Sequence, residues 1–172
     1  RDEVLRVDAE FEVDRPAHSN GVQVCELEID PQTGGIELLN HVLVLDAGMI
    51  LNPMIVEGQM HGGLAQGLGQ AWLEHVVYDP DSGQTLSGSF MDYAIPRADD
   101  LPSFVTATNE VREVDNPLGV KGAGEGPTTG APAAFMNAVN HAVLDAGGVR
   151  VAMPATSERV WRALDGQQFR PD

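Results

Sequence analysis

Residues 56–75 read VEGQMHGGLAQGLGQAWLEH, and this stretch limits the fold more than any other. Met60, Leu64, Leu68 and Trp72 recur at every fourth position with Ala65 and Ala71 beside them, the period of a helix that buries one face. Glycines at 58, 62, 63, 67 and 69 oppose that reading, because each costs about 1 kcal/mol relative to alanine inside a helix. The two signals are compatible if packing holds the helix. Gly58 with Gly62, and Gly63 with Gly67, would lie one turn apart and leave bare strips of backbone, against which either a neighbouring strand or a flat ligand could approach. His61 stands alone there, without a second metal-binding residue at ligand spacing, and reads as a solvated or core-edge histidine.

Upstream the period changes to two. VLRVDAEFEV (4–13), GVQVCELEID (21–30) and GIELLNHVLVLDAG (35–48) alternate as strands do, and DPQTGG joins the last two as a turn, so an antiparallel meander is expected. Cys25 sits mid-strand and reads as a small strand residue rather than a nucleophile. Downstream, VVY and TLSG around DPDSG predict a hairpin, and SFVTATNEVREV a further strand. Asp79, Asp81 and Gly83 do not make a calcium loop, since Phe90 stands where the bidentate glutamate is required. PTTGAPAAFMNAVNHAVLDAGG predicts a helix capped by Thr128 or Thr129, with Pro132 in its first turn, Phe135, Val139, Ala142, Val143 and Ala146 on one face, and Gly147 as its stop. SERVWRAL, capped by Thr156 or Ser157 and ending near Gly166, predicts a short last helix. The expected fold class is α+β, an antiparallel or mixed sheet packed with about three helices in one domain.

A chain of 172 residues supports one sizeable core. Its 26 acidic against 10 basic residues give a net charge of −16, which repels nucleic-acid phosphates and anionic lipid surfaces. A single cysteine excludes an internal disulfide framework and any cysteine-rich metal site, and fits a cytoplasmic setting. No apolar run approaches the roughly 20 residues that cross a bilayer. The chain begins at Arg1 and reads as a piece of something longer.

GVKGAGEG (119–126) sets four glycines around one lysine and one glutamate. A Walker phosphate loop fails, because Lys121 is followed by Gly122 and not by Ser or Thr. A dinucleotide fingerprint is weak, because the expected helix starts too far downstream and a proline intervenes. The third reading centres on Glu125: Gly124 and Gly126 clear space around a carboxylate that a following helix N-terminus keeps ionised, a candidate general base. The alternative is an acidic residue in a flexible surface turn.

The order of VEGQMHGGLAQGLGQAWLEHVVYDPDSG, GSFMDYAIPRADDLP, NPLGVKGAGEGPTTGAPAAFMNAVNHAVLDAG and PATSERVWRAL resembles the molybdenum-binding large subunit of the xanthine dehydrogenase, aldehyde oxidase and aerobic carbon monoxide dehydrogenase family. The likeness runs from about residue 20 to residue 165 and is greatest to the carbon monoxide dehydrogenase-like branch. It implies a C-terminal molybdopterin-binding domain over 1–172, part of a longer subunit. It also implies a molybdenum cofactor carried as the cytosine dinucleotide, which this chain alone would not hold. Glu125 matches the family's catalytic base, which removes a proton as water-derived oxygen is added to an electron-poor carbon of a small substrate. Lys121, Gly122, Ala123 and Gly124 match the loop laid against the cofactor, and Gln59 a glutamine that reaches the pterin region. No residue of this chain is implied as a metal ligand, and Cys25 does not match the cysteine that carries copper in carbon monoxide dehydrogenases. The implied partners are the rest of the large subunit and iron–sulfur and flavin (FAD) subunits or domains. A non-catalytic scaffold of the same fold is the alternative.

Overall fold

The computed structural model describes residues 7–10, 12 and 15–167. Strand β1 (Asn20–Ile29) and strand β2 (Ile36–Asp46) form the hairpin that the alternation predicts, antiparallel from Asn20 opposite Asp46 to Ile29 opposite Ile36. Gln23, Cys25, Leu27 and Ile29 point inward, while Val22, Val24, Glu26 and Glu28 point out. A bulge between Glu26 and Leu27 absorbs one extra residue of β2. The Asp30 carboxylate ties the turn by accepting from Gln32 N at 2.9 Å and Thr33 Oγ1 at 2.7 Å. Gly34, at φ +70°, is pressed against the backbone of Ser157 and Trp161, where no side chain would fit.

The further strand expected in SFVTATNEVREV forms beside β2. Strand β3 (Val105–Thr108) is parallel to β2, with Val42 beside Val105 and Leu45 beside Thr108, so the sheet is mixed, in the order β1-β2-β3. A parallel partner needs a crossover, and helix α1 (Pro53–Trp72) supplies it. Of the strand expected over 4–13, residues 4–6, 11 and 13 lie outside the described residues, and 7–10 and 12 belong to no regular element. The expected hairpin closes only as a bridge, Tyr78 to Thr85, because its Ser- and Gly-rich arm finds no sheet to join. Asp79 holds its turn by accepting from the Ser82 N–H and hydroxyl, each at 2.7 Å.

Helix α1 starts at Asn52-Pro53, just upstream of the expected helical stretch: Asn52 Oδ1 accepts from Ile55 N at 3.2 Å, and Pro53 opens the first turn. Helix α2 (Glu125–Asp145) starts earlier than its threonines suggest. Neither is its cap. Thr128 Oγ1 donates to Gly63 O at 3.0 Å, and Thr129 Oγ1 to Glu125 O at 2.9 Å. Pro127 in the first turn needs no N–H there, so the helix reaches back to Glu125. Pro132 falls inside the helix and cannot donate to Thr128 O. Helix α3 (Ser157–Leu164) follows.

Helices α1 and α2 pack on each other and on one face of the sheet, α2 along β1 and α1 near β3. Leu43, Leu45, Leu64, Leu68, Phe135, Val139, Val143 and Val160 are fully buried between them, with the Trp72 and Phe135 rings 5.6 Å apart. The fold class is the expected α+β, with three helices among the described residues. No helix among the described residues is long and apolar enough to cross a membrane.

Candidate active site

The GVKGAGEG segment is built into the end of β2. Gly48, at φ +66°, pairs with Val120; Met49 N donates to Gly119 O at 2.8 Å and Lys121 N to Ala47 O at 2.9 Å. Asn116 clasps the approach, its Oδ1 accepting from Gly119 N at 2.7 Å and Val120 N at 3.2 Å while its Nδ2 donates to Val120 O at 2.8 Å. A side chain on Gly48 would collide with the Gly119 carbonyl, so that glycine is required by the close pairing. The base of the loop is therefore fixed, unlike a flexible surface turn.

Lys121 does not extend its ammonium toward solvent. Its Nζ lies 2.7 Å from Asp46 Oδ2, and the two side chains are only 8% and 11% exposed. Asp46 Oδ1 also accepts from Gly48 N at 2.9 Å and Val111 N at 3.1 Å. Desolvation opposes ionisation of Asp46, but the Lys121 partner and the two backbone donors outweigh it and hold the carboxyl below its ordinary range. Asp46 was not legible as a site residue, because it lies far from Lys121 in sequence and no spacing rule joins them.

Beyond Lys121 the chain opens. Gly122 and Gly124 are exposed and Ala123 half-buried, and a Cβ on Gly122 would meet nothing within 4 Å. Gln59 from α1 comes against the same loop, its Oε1 3.3 Å from where a Cβ on Gly124 would stand. Glu125 is the first residue of α2, where the unpaired backbone N–H groups favour negative charge, and its side chain is exposed. The gap expected between the glycine loop and the helix is thus absent, but no parallel strand runs into the loop, since β3 ends at Thr108 and Val120 makes only an antiparallel bridge with Gly48, which still fails the dinucleotide pattern.

Glu125, Gly122, Gly124 and Gly126 line one wall of an open cleft of about 820 Å³. The other wall is the arm that leads into β1, with His18, Ser19 and Asn20, followed by Gln23. Sequence reading missed this arm: the small polar run HSN carries no period and lies more than a hundred residues from the loop it faces. Cys25 faces inward on β1, and burial pushes its thiol up to about 12, which leaves it a packing residue. His61 is exposed, with its ring edge-on to Phe104 at 5.9 Å. Among the described residues no cluster of three or more His, Cys, Asp or Glu could hold a metal ion.

Gln23 ties the cleft to the core. Its Nε2 donates to Pro127 O at 2.7 Å, so its Oε1 is the acceptor for His41 Nε2 at 2.9 Å, and the imidazole carries its proton there. His41 is fully buried, its Nδ1 has no hydrogen-bond partner among the described residues, and burial lowers its pKa to about 4. The unfolded chain, with a histidine pKa near 6.5, binds the proton that the folded chain refuses, so His41 costs stability progressively as pH falls from 6.5 to 4. Denaturant titrations across that range are expected to lose on the order of 2 kcal/mol more stability in the parent than in His41→Leu. Parallel curves for the two proteins would show that His41 is charged when folded.

The residues present suit a flat anionic cofactor: bare glycine backbone, helix N-terminal donors and an amide, with a carboxylate beside them. A sequence model of the molybdopterin cofactor-binding domain matches residues 3–102, more than half the chain. The chain belongs to the molybdopterin cofactor-binding family. The matched residues contain both strands of the hairpin and all of α1; the Glu125 loop lies beyond them.

Relatives of this family extend the match. The chain is 42% identical over 156 residues to the nicotine 6-hydroxylase large subunit of Paenarthrobacter nicotinovorans, covering 91% of this chain and 19% of that one. It is 37% identical over 151 residues to the carbon monoxide dehydrogenase large chain of Afipia carboxidovorans, covering 87% and 18%. Quinoline 2-oxidoreductase from Pseudomonas putida 86 superposes with a TM-score of 0.82 at 40% identity, over 87% of this chain and 19% of that chain. The chain thus spans about a fifth of the length of the relatives it matches, 18–19%.

Proposed function

We propose that this chain is the part of a molybdenum hydroxylase that carries the catalytic base, Glu125, and one wall of the cofactor site. The observation that carries the reading is local: Glu125 begins α2 in a glycine-walled cleft, with Gln59 of α1 against the same loop. The relatives named as a nicotine hydroxylase and a carbon monoxide dehydrogenase support the same chemistry. In the net reaction an electron-poor substrate C–H and one water give C–OH, two electrons and two protons.

When bound, the molybdenum cofactor supplies the two-electron redox centre and activates the water. Everything else falls to the protein. Glu125 accepts a proton at its carboxylate, aided by its exposure, which lets that proton pass on to solvent. The backbone of Gly122, Ala123 and Gly124 would be free to approach an anionic cofactor, because no side chain intervenes at the two glycines. Gln59 places an amide beside Gly124, where it can hydrogen-bond a pterin edge. Lys121 serves the site through its backbone position, since its ammonium is held by Asp46. The cofactor is taken to be the cytosine dinucleotide form, the setting cytoplasmic, and the electrons pass to iron–sulfur and flavin partners.

Turnover of the full-length protein in water labelled with heavy oxygen, with a dye as electron acceptor, tests the reading. The product hydroxyl is expected to carry the label at the enrichment of the water. Label drawn from dioxygen instead would place the protein in another reaction class.

A further inference from the structure

The end of β2 gathers three segments on one carboxylate. Asp46 Oδ2 takes Lys121 Nζ at 2.7 Å, while Oδ1 takes the N–H of Gly48 at 2.9 Å and of Val111 at 3.1 Å. Asn109 N donates to Leu45 O at 2.9 Å, so the 109–111 stretch continues alongside β2 up to the same point. Asp46 is thus satisfied on both oxygens by groups from residues 48, 111 and 121, and it is buried. A buried carboxylate with three donors from separate stretches is costly unless all are kept, which makes the arrangement a fixed joint and not a sliding contact.

The loop that leaves this joint is otherwise thinly held. Gly122 has open space around it, and between Lys121 and the first turn of α2 no backbone N–H is bonded to a carbonyl among the described residues. Apart from Ala123, which packs against the core, its placement therefore depends on its two ends, α2 on one side and the joint on the other. We propose that Asp46 is a positioning residue: acting through Lys121, it sets where Gly122–Glu125 stand against Gln59 and the cleft. The functional consequence rests on Glu125 being the base; the structural consequence does not.

Asp46→Asn in the full-length protein keeps the shape of the side chain and removes its charge. The hydrogen-bonded amides of Gly119, Val120 and Lys121 are expected to exchange with solvent at least about tenfold faster, while those of β1 and α1 keep their protection. The kcat is expected to fall by about 10- to 100-fold, with KM within about threefold and cofactor content unchanged, because misplacing a reacting group by about 1 Å has effects of this size. Lys121→Met, read by the same exchange experiment, should loosen the same residues. Exchange that rises evenly over the whole chain, or unchanged protection at Gly119, Val120 and Lys121, would overturn the proposal, as would failure of both variants to fold, since the pair would then only support the core. If Glu125→Gln turns over normally, the base reading falls, and the exchange pattern of Asp46→Asn still decides the positioning role.

Discussion

Glu125→Gln is expected to lower kcat by about 10²- to 10⁴-fold in the full-length protein, with the cofactor still bound. Glutamine matches glutamate in size and stays at the first position of α2, so the cleft keeps its shape. The carboxylate is exposed, and among the described residues it accepts no hydrogen bond, so its loss leaves no buried group stranded. The helix loses a favourable charge at its N-terminus, about 0.3–1 kcal/mol, too little to unfold it. What disappears is the ability to take a proton. Steady-state turnover measured beside molybdenum content checks this, and near-normal kcat in fully loaded protein would sink the assignment. Glu125→Asp should fall between the two, since the carboxylate is kept but drawn back by one methylene.

The parts of the fold set by local period were legible, and those set by pairing across the chain were not. The inward set Gln23, Cys25, Leu27 and Ile29 follows from alternation alone, and Met60, Leu64, Leu68 and Trp72 from a period near four. The parallel placement of β3 was hidden, because its four residues carry no mark of direction and their partner lies some sixty positions upstream. Thr128 and Thr129 looked like caps because hydroxyls usually serve there, whereas one is spent across the helix pair on Gly63 O. Glu125 and the glycine loop were legible as candidates, and they line one cleft. The sequence could not supply Asp46, whose partners at 48, 111 and 121 meet only when β2 is in place, nor the facing arm with His18 and Ser19.

The glycines of α1 divide in a way that gives the second large effect: Gly67→Val is expected to destabilise the protein by about 3 kcal/mol. A Cβ on Gly67 would stand 2.8 Å from Ala131 Cβ, 2.9 Å from Thr128 O and 3.1 Å from Pro132 Cδ, and none of these can swing aside, being backbone or the first atoms of α2 side chains. The contact is specific, because Thr128 O is the carbonyl that Pro132 leaves without a helical donor, so the bare face of Gly67 seats where α2 is already irregular. Gly63 repeats the arrangement one turn earlier against Pro127 and Thr128. The neighbour that needs these two glycines is therefore a helix, neither the strand nor the flat ligand that the sequence left open. Gly58 and Gly62 have nothing within 4 Å of a Cβ, and Gly58→Ala is expected to add about 0.5–1 kcal/mol by restoring helix propensity. Urea unfolding of the two variants should thus move the midpoint in opposite directions with the slope unchanged. Equal and small shifts would mean that α1 and α2 are not in close contact at Gly67, and that the glycines on both faces of α1 serve flexibility alone.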